Sequence, residues 1–257
     1  MRILLTNDDG ILAPGLAALY GELVKLGEVD VAAPHTVQSA AGHAITINEP
    51  LSAKRIHAHG EFHGWAISGR PADCVKLAVS ELLGAPPDLV VSGINDGANV
   101  AVNVLYSGTV AAAAEGAILG IPSVAISQQW GDEINFDRAA QIAGRLVSHY
   151  AQATEQGAPP CPLLNINIPD LGKGRPVGLK VAAQAVQKAD DHYQRTEGPG
   201  DVFNYSLRGW FSDFGSPECD LRALVDGYVV LTPLHFDMTD HERLADVARC
   251  DWPDVTA

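Results

Sequence analysis

The sequence predicts an α/β protein built on a mostly parallel, three-layer sheet. Three observations carry that prediction: a βα alternation through the first two-thirds of the chain, strands that are apolar without interruption, and polar residues at the carboxyl ends of those strands. Continuous runs such as Asp88-Leu89-Val90-Val91-Ser92 and Pro122-Ser123-Val124-Ala125-Ile126-Ser127 suit strands covered on both faces. In such sheets ligands collect beyond the strands' carboxyl ends.

Strands are expected at about 2–6, 28–33, 62–67, 88–92, 122–127 and 162–168, and helices at about 15–26, 71–83, 107–119 and 136–154. From about 170 to 225 the sequence turns to Gly, Pro, Asp and aromatic residues without helical periodicity. A protruding hairpin or subunit arm fits that stretch better than a second domain, so residues 1–257 read as one unit. Gly227–Pro233 resembles a further strand and Thr239–Arg249 a terminal helix. Trp210, Phe211 and Phe214 read either as packing for the arm or as a base-stacking wall.

The 257 residues are 47% hydrophobic, enough for a substantial core. Seventeen basic against 31 acidic residues give a net charge of -14, which argues against stable binding to a nucleic-acid polymer. Small anions remain suitable partners where a metal reverses the local sign. The opening residues read as a strand rather than a signal peptide, no run is long enough to span a bilayer, and Cys74, Cys161, Cys219 and Cys250 show no paired ligand spacing. These features predict a cytoplasmic protein with reduced thiols.

The G-x-G-x-x-G fingerprint, the P-loop, H-E-x-x-H and G-x-S-x-G are all absent. The candidate chemistry lies in four other places. Asp8 and Asp9 follow the first strand and precede Gly10; the tripeptide alone is a turn signal, but its position favours a hard metal ion. Ser39, between His35 and His43, offers a neutral hydroxyl or simply caps a turn, and the two histidines either assist protonation or pack in the loop. Asn95 follows the strand at 88–92 and offers an amide oxygen, although Asn95, Asp96 and Asn99 suit turns equally well. Tyr106-Ser107-Gly108-Thr109 opens an Ala-rich helix whose free N–H groups suit phosphate oxygens, and Ser107 or Thr109 also suits a plain cap.

These residues together resemble the SurE, or survival protein E, family of metal-dependent nucleotidases. The resemblance rests on Thr6–Gly10, the Ser39 loop, Gly69–Val75, Ser92–Asn99 and Tyr106–Val110, and more weakly on Leu164–Pro169, Asp220 and Gly227–Leu234. It implies a Rossmann-like domain with a C-terminal element exchanged between subunits in a homodimer or tetramer. It also implies one divalent ion per subunit, Mg²⁺ or Mn²⁺, on Asp8, Asp9, Ser39 and Asn95, with phosphate held by Asn7, Asn95, Ser107, Gly108 and Thr109. Asp8 and Asn95 would be catalytic, Asp8 as the base that orients water or, less favoured, as a direct nucleophile. The implied reaction is hydrolysis of nucleoside 5'-monophosphates, extending to 3'-monophosphates and short polyphosphate. A noncatalytic nucleotide-binding or assembly protein is the main alternative, and an oxidoreductase the lesser one. Two departures from the family pattern, Arg70 where Thr is common and Val100–Asn103 after Asn99, bear on loop flexibility, metal affinity and substrate preference.

Overall fold

The computed structural model describes all residues except 59–61, 132–133, 157–160, 210, 254 and 256–257. Nine strands form one sheet. β1 (Arg2–Thr6), β2 (Glu28–Pro34), β4 (Phe62–Ile67), β5 (Leu89–Asp96), β6 (Ser123–Gln128) and β7 (Leu163–Ile168) run parallel in the order β4-β2-β1-β5-β6-β7. β3 (Ala53–Ala58) closes one edge antiparallel to β4; at the other edge β11 (Val229–Leu234) pairs antiparallel with β7 and parallel with β8 (Leu179–Val181).

Both faces are covered, as the apolar strands require. Ile3, Leu5, Val91 and Ile126 point to a core shared with α1 (Pro14–Leu23) and α4 (Phe136–Glu155). Leu4 and Val90 point the other way, toward α2 (Pro71–Leu77) and α3 (Gly108–Ile118). Pro at the first helical position opens α1 and α2, and the Asn135 side chain caps α4 by accepting from Arg138 N–H. α3 is buried almost all round, so its alanines and Gly116 answer to space: a Cβ on Gly116 would lie 2.5 Å from Ser123 Oγ.

Several expectations change. β3 was not foreseen; its Lys54 and Arg55 are exposed, as befits an edge strand. The helix expected to 83 leaves α geometry after Leu77 in a π-helical turn over Ala78–Leu82. The stretch 170–225 does contain an antiparallel hairpin, β9 (His192–Glu197) with β10 (Phe203–Arg208), every residue of which is exposed. It also holds β8 and a short helix, α5 (Asp220–Val225), packed with β11 in a cluster that includes Phe211 and Phe214. Trp210 lies outside the described residues. The terminal helix is only five residues long, α6 (Leu244–Ala248), and wholly exposed. All four cysteines are free thiols.

Chain order fixes where a ligand can sit. From β1 the chain moves outward through β2 to β4 and then returns to place β5 on the opposite side of β1. The crevice beyond β1 and β5 is therefore the sheet's switch point, the location where α/β sheets bind ligands.

Candidate active site

At the end of β1 the chain reverses through Asn7–Gly10. Asn7 is fully buried, its Nδ2 donates to Gly10 O at 2.9 Å, and its Oδ1 accepts from Gly10 N at 3.2 Å. The amide is tied to Gly10 and shapes the turn. Gly10 has φ +97°, a conformation that a side chain would strain. The turn presents Asp8 and Asp9 to the crevice.

Asp8 is 4% exposed, and its Oδ1 accepts a 2.5 Å hydrogen bond from Thr109 Oγ1. Burial pushes its carboxyl up to about 6, helped by the charge of Asp9, while the Thr109 hydroxyl and nearby backbone amides pull the other way. Asp9 is also raised by burial, against the hydrogen bond its Oδ2 accepts from Asp96 N at 3.2 Å. Two adjacent carboxylates thus both resist ionisation, and neither has an ion pair to a basic side chain among the described residues.

The Ser39 loop reaches the same crevice. Gln38 N donates to the backbone oxygen of Asp8 at 2.8 Å, which places Ser39, exposed in a turn, one residue beyond a direct tether. Asn95 arrives on β5, whose register with β6 shifts between Ser92 and Asn95. Its Nδ2 donates to Gly97 O at 2.7 Å, which turns the amide oxygen away from that bond.

Across the crevice α3 begins. Ser107 caps it, with Oγ accepting from Val110 N at 3.1 Å. Gly108 is required by close approach: a Cβ there would lie 2.7 Å from Asp8 Cβ and 2.9 Å from Asp8 Oδ2. Ser107 is thus a cap and Thr109 a donor to Asp8. What the helix start presents outward is its backbone dipole and the amide of Gly108.

The donor set suits a hard divalent ion. Asp8 and Asp9 are desolvated, the segments that carry Ser39 and Asn95 are tethered beside them through Gln38 and Asp96, and a cation would offset the cost of keeping both acids charged. Among the described residues no group of three or more His, Cys, Asp or Glu side chains is placed to hold a metal ion.

The partners of several supporting residues are remote in sequence and gave no signal there. Buried Glu115 on α3 binds His43 Nε2 at 2.9 Å and Lys76 Nζ at 2.5 Å. Burial raises its pKa, but the hydrogen bonds and charges of His43 and Lys76 outweigh this and leave it lowered. Asp73 accepts from Thr46 N and Oγ1 at 2.9 and 2.7 Å, so both ends of the segment after Ser39 are fastened to α2 and α3. Asn99 N donates to Asn167 Oδ1, Asn99 Nδ2 to Ser127 Oγ, and Asn165 Nδ2 to Asn99 O, each at 2.8 Å; these bonds anchor the Asn95 loop on β6 and β7. Trp130 is 71% exposed, yet its indole N–H is fixed on Asp96 O at 2.9 Å and its ring lies against Gly97.

The profile of the family described as Survival protein SurE matches residues 3–191. This chain belongs to the SurE family. Among its SurE relatives, one named 5'-nucleotidase SurE from Syntrophobacter fumaroxidans is 45% identical over 245 residues, covering 95% of this chain and 97% of the relative. Another of that name, from Rhodopirellula baltica, is 44% identical and covers 98% of each. The crystal structure of a SurE protein from Aquifex aeolicus superposes with a TM-score of 0.82 at 36% identity, covering 96% of this chain and 98% of the other. The SurE fold is thus shared along nearly the whole chain.

Proposed function

We propose that this chain is a divalent-metal-dependent phosphomonoesterase that hydrolyses nucleoside 5'-monophosphates to nucleoside and phosphate, and also accepts 3'-monophosphates and short polyphosphate. One observation carries the reading: two desolvated, adjacent carboxylates face the start of α3, with Thr109 bonded to Asp8. The relatives named 5'-nucleotidases support the substrate class.

Asp8, Asp9, Ser39 and Asn95 would hold one Mg²⁺ or Mn²⁺ per subunit; when bound, the ion supplies charge neutralisation at phosphate and a more acidic water. The chain's own residues do the rest. Asp8 Oδ1 is held by Thr109, which leaves Oδ2 to orient a water and accept its proton. The helix dipole and the Gly108 amide favour the charge that builds on the transferred oxygens, and Asn95 meets phosphate as well as metal. Trp130, locked beside the Asn95 loop, provides a face on which a nucleobase can stack.

The chain works in the cytoplasm as a homodimer or tetramer joined through the C-terminal arm. Support comes from the fully exposed hairpin and from Met238, Leu244, Val247 and Trp252, apolar residues more than half exposed in the single chain. No described helix is long and apolar enough to cross a membrane.

The decisive experiment measures inorganic phosphate released from a panel of 5'- and 3'-nucleoside monophosphates after chelation and after return of Mg²⁺ or Mn²⁺, with Asp8→Asn as control. Activity restored by metal and lost in the variant is expected. A folded, metal-loaded protein that releases none from any of the panel would favour a noncatalytic nucleotide binder.

A further inference from the structure

A cavity of about 580 Å³ lies between α4 and the strands β8 and β11, apart from the site described above, none of whose residues line it. Its polar wall holds three arginines: Arg138 and Arg145 on α4, and Arg175 on the segment leading to β8. Among the described residues no acidic one lines it, in a chain with 31 acids and only 17 bases. Several cations elsewhere are neutralised in place, as in Arg2–Asp30, Lys25–Glu22, Lys76–Glu115 and Arg222–Asp226. Among the described residues none of the three arginines has a carboxylate partner; Arg138 donates to the backbone oxygen of Leu171, which orients its guanidinium without neutralising it.

Three like charges around one cavity repel each other unless an anion lies among them, and guanidinium forks match phosphate oxygens in pairs. The apolar lining is Ile142 and Leu146, which share α4 with two of the arginines, and Leu179 and Val229 on the facing strands. The volume falls in the range of small-molecule sites. We propose that this cavity is a second ligand site, one that takes a phosphorylated organic anion of nucleotide size, with the phosphates on Arg138, Arg145 and Arg175 and the organic part on the apolar lining. The ligand would join α4 to the β8–β11 edge of the sheet.

Isothermal titration of the full-length protein in chelator tests this, with ATP, tripolyphosphate and adenosine as probes. The variants are Arg145→Gln/Arg175→Gln and the charge-conserving Arg145→Lys/Arg175→Lys. ATP is expected to bind more tightly than either partial probe, its affinity to fall at least tenfold in the Gln variant and less in the Lys variant, and metal-restored hydrolysis of a simple phosphomonoester to stay unchanged in both. Unaltered ATP affinity in the Gln variant overturns the site, and equal affinity for tripolyphosphate and ATP overturns the organic half of the assignment. A change in oligomeric mass in the Gln variant would make the arginines an interface and overturn the proposal as well. Should the Gln variant fail to fold, the wild-type protein decides: ATP affinity that does not fall with added salt rules out a site built on three guanidiniums.

Discussion

Thr109 Oγ1 donates to Asp8 Oδ1 at 2.5 Å across 101 residues of sequence, joining the start of α3 to the turn after β1. The bond stabilises the charged form of Asp8 against its burial. Replacing Thr109 with Val keeps the shape and removes the donor. The acid limb of the pH–rate profile should then move to higher pH and kcat fall by about tenfold or more, as for loss of a charge-assisted hydrogen bond worth roughly 1.5–3 kcal/mol. Thr109→Ser should recover most of both. An unmoved acid limb in Thr109→Val would show that the hydroxyl does not govern Asp8.

The raised pKa of Asp8 has a consequence for stability. Its folded value of about 6 lies above the ordinary 3.8, so the folded protein binds the proton more tightly than the unfolded chain does. Any stability linked to this group is present below 3.8 and lost as pH rises through about 6. Metal-free Asp8→Asn should therefore be more stable than wild type above pH 6, by up to about 3 kcal/mol from the size of the shift. The gain should shrink as pH falls from about 6 to 3.8. Chelated samples melted at several pH values give the answer, and a variant less stable at pH 7.5 would contradict it.

Gly108 tests the geometry without touching charge. A methyl group there would lie within 2.7 Å of Asp8 Cβ and 2.9 Å of Pro71 Cγ. Gly108→Ala should abolish most of the activity, about a hundredfold, because displacements near 1 Å cost that much when reacting groups must align. A position two residues on in the same helix, Val110→Ala, provides the comparison and should keep activity within a few-fold.

The fastening of the Ser39 segment predicts a different signature. His43→Ala removes the loop's contact with Glu115 and leaves the carboxylates of the crevice in place. The Mg²⁺ or Mn²⁺ concentration for half-maximal activity should rise several-fold while kcat at saturating metal changes little, in keeping with residues that orient ligands from behind. A metal titration of the two proteins separates these effects; a loss confined to kcat would place His43 in the chemistry itself.

Trp130 predicts a split between substrates. Trp130→Ala should raise KM for nucleoside monophosphates by about five- to tenfold, from the loss of one stacked base. KM for glycerol phosphate should be unchanged. Equal losses for both would make the indole a support for Gly97 alone.

Much of this arrangement was legible in the sequence, for identifiable reasons. β1, β5 and β6 announce themselves because strands buried on both faces carry uninterrupted apolar runs, and the polar residues that follow mark the crevice. β3 was missed because Ala53–Ala58 is half polar and sits at an edge, where burial imposes no pattern. The duties of Ser107 and Thr109 were ambiguous because a hydroxyl at a helix start can cap, bond a neighbour or meet a ligand, and only the approach of Asp8 selects among these. Glu115 with His43, and Asp73 with Thr46, depend on contacts 72 and 27 residues apart, which no local pattern records. Trp130 carried no signal at all, since its role follows from the position of Gly97.

Asp220 stands at the root of the arm, fully buried, with one carboxylate oxygen accepting from Ala101 N and the other from Ala185 N and Leu221 N. Ala101 lies two residues past Asn99, the residue that pins the Asn95 loop to β7. The base of the arm and the loop that carries Asn95 thus share one anchored backbone segment, Asn99–Ala101, held by Asp220 on one side and by β7 on the other.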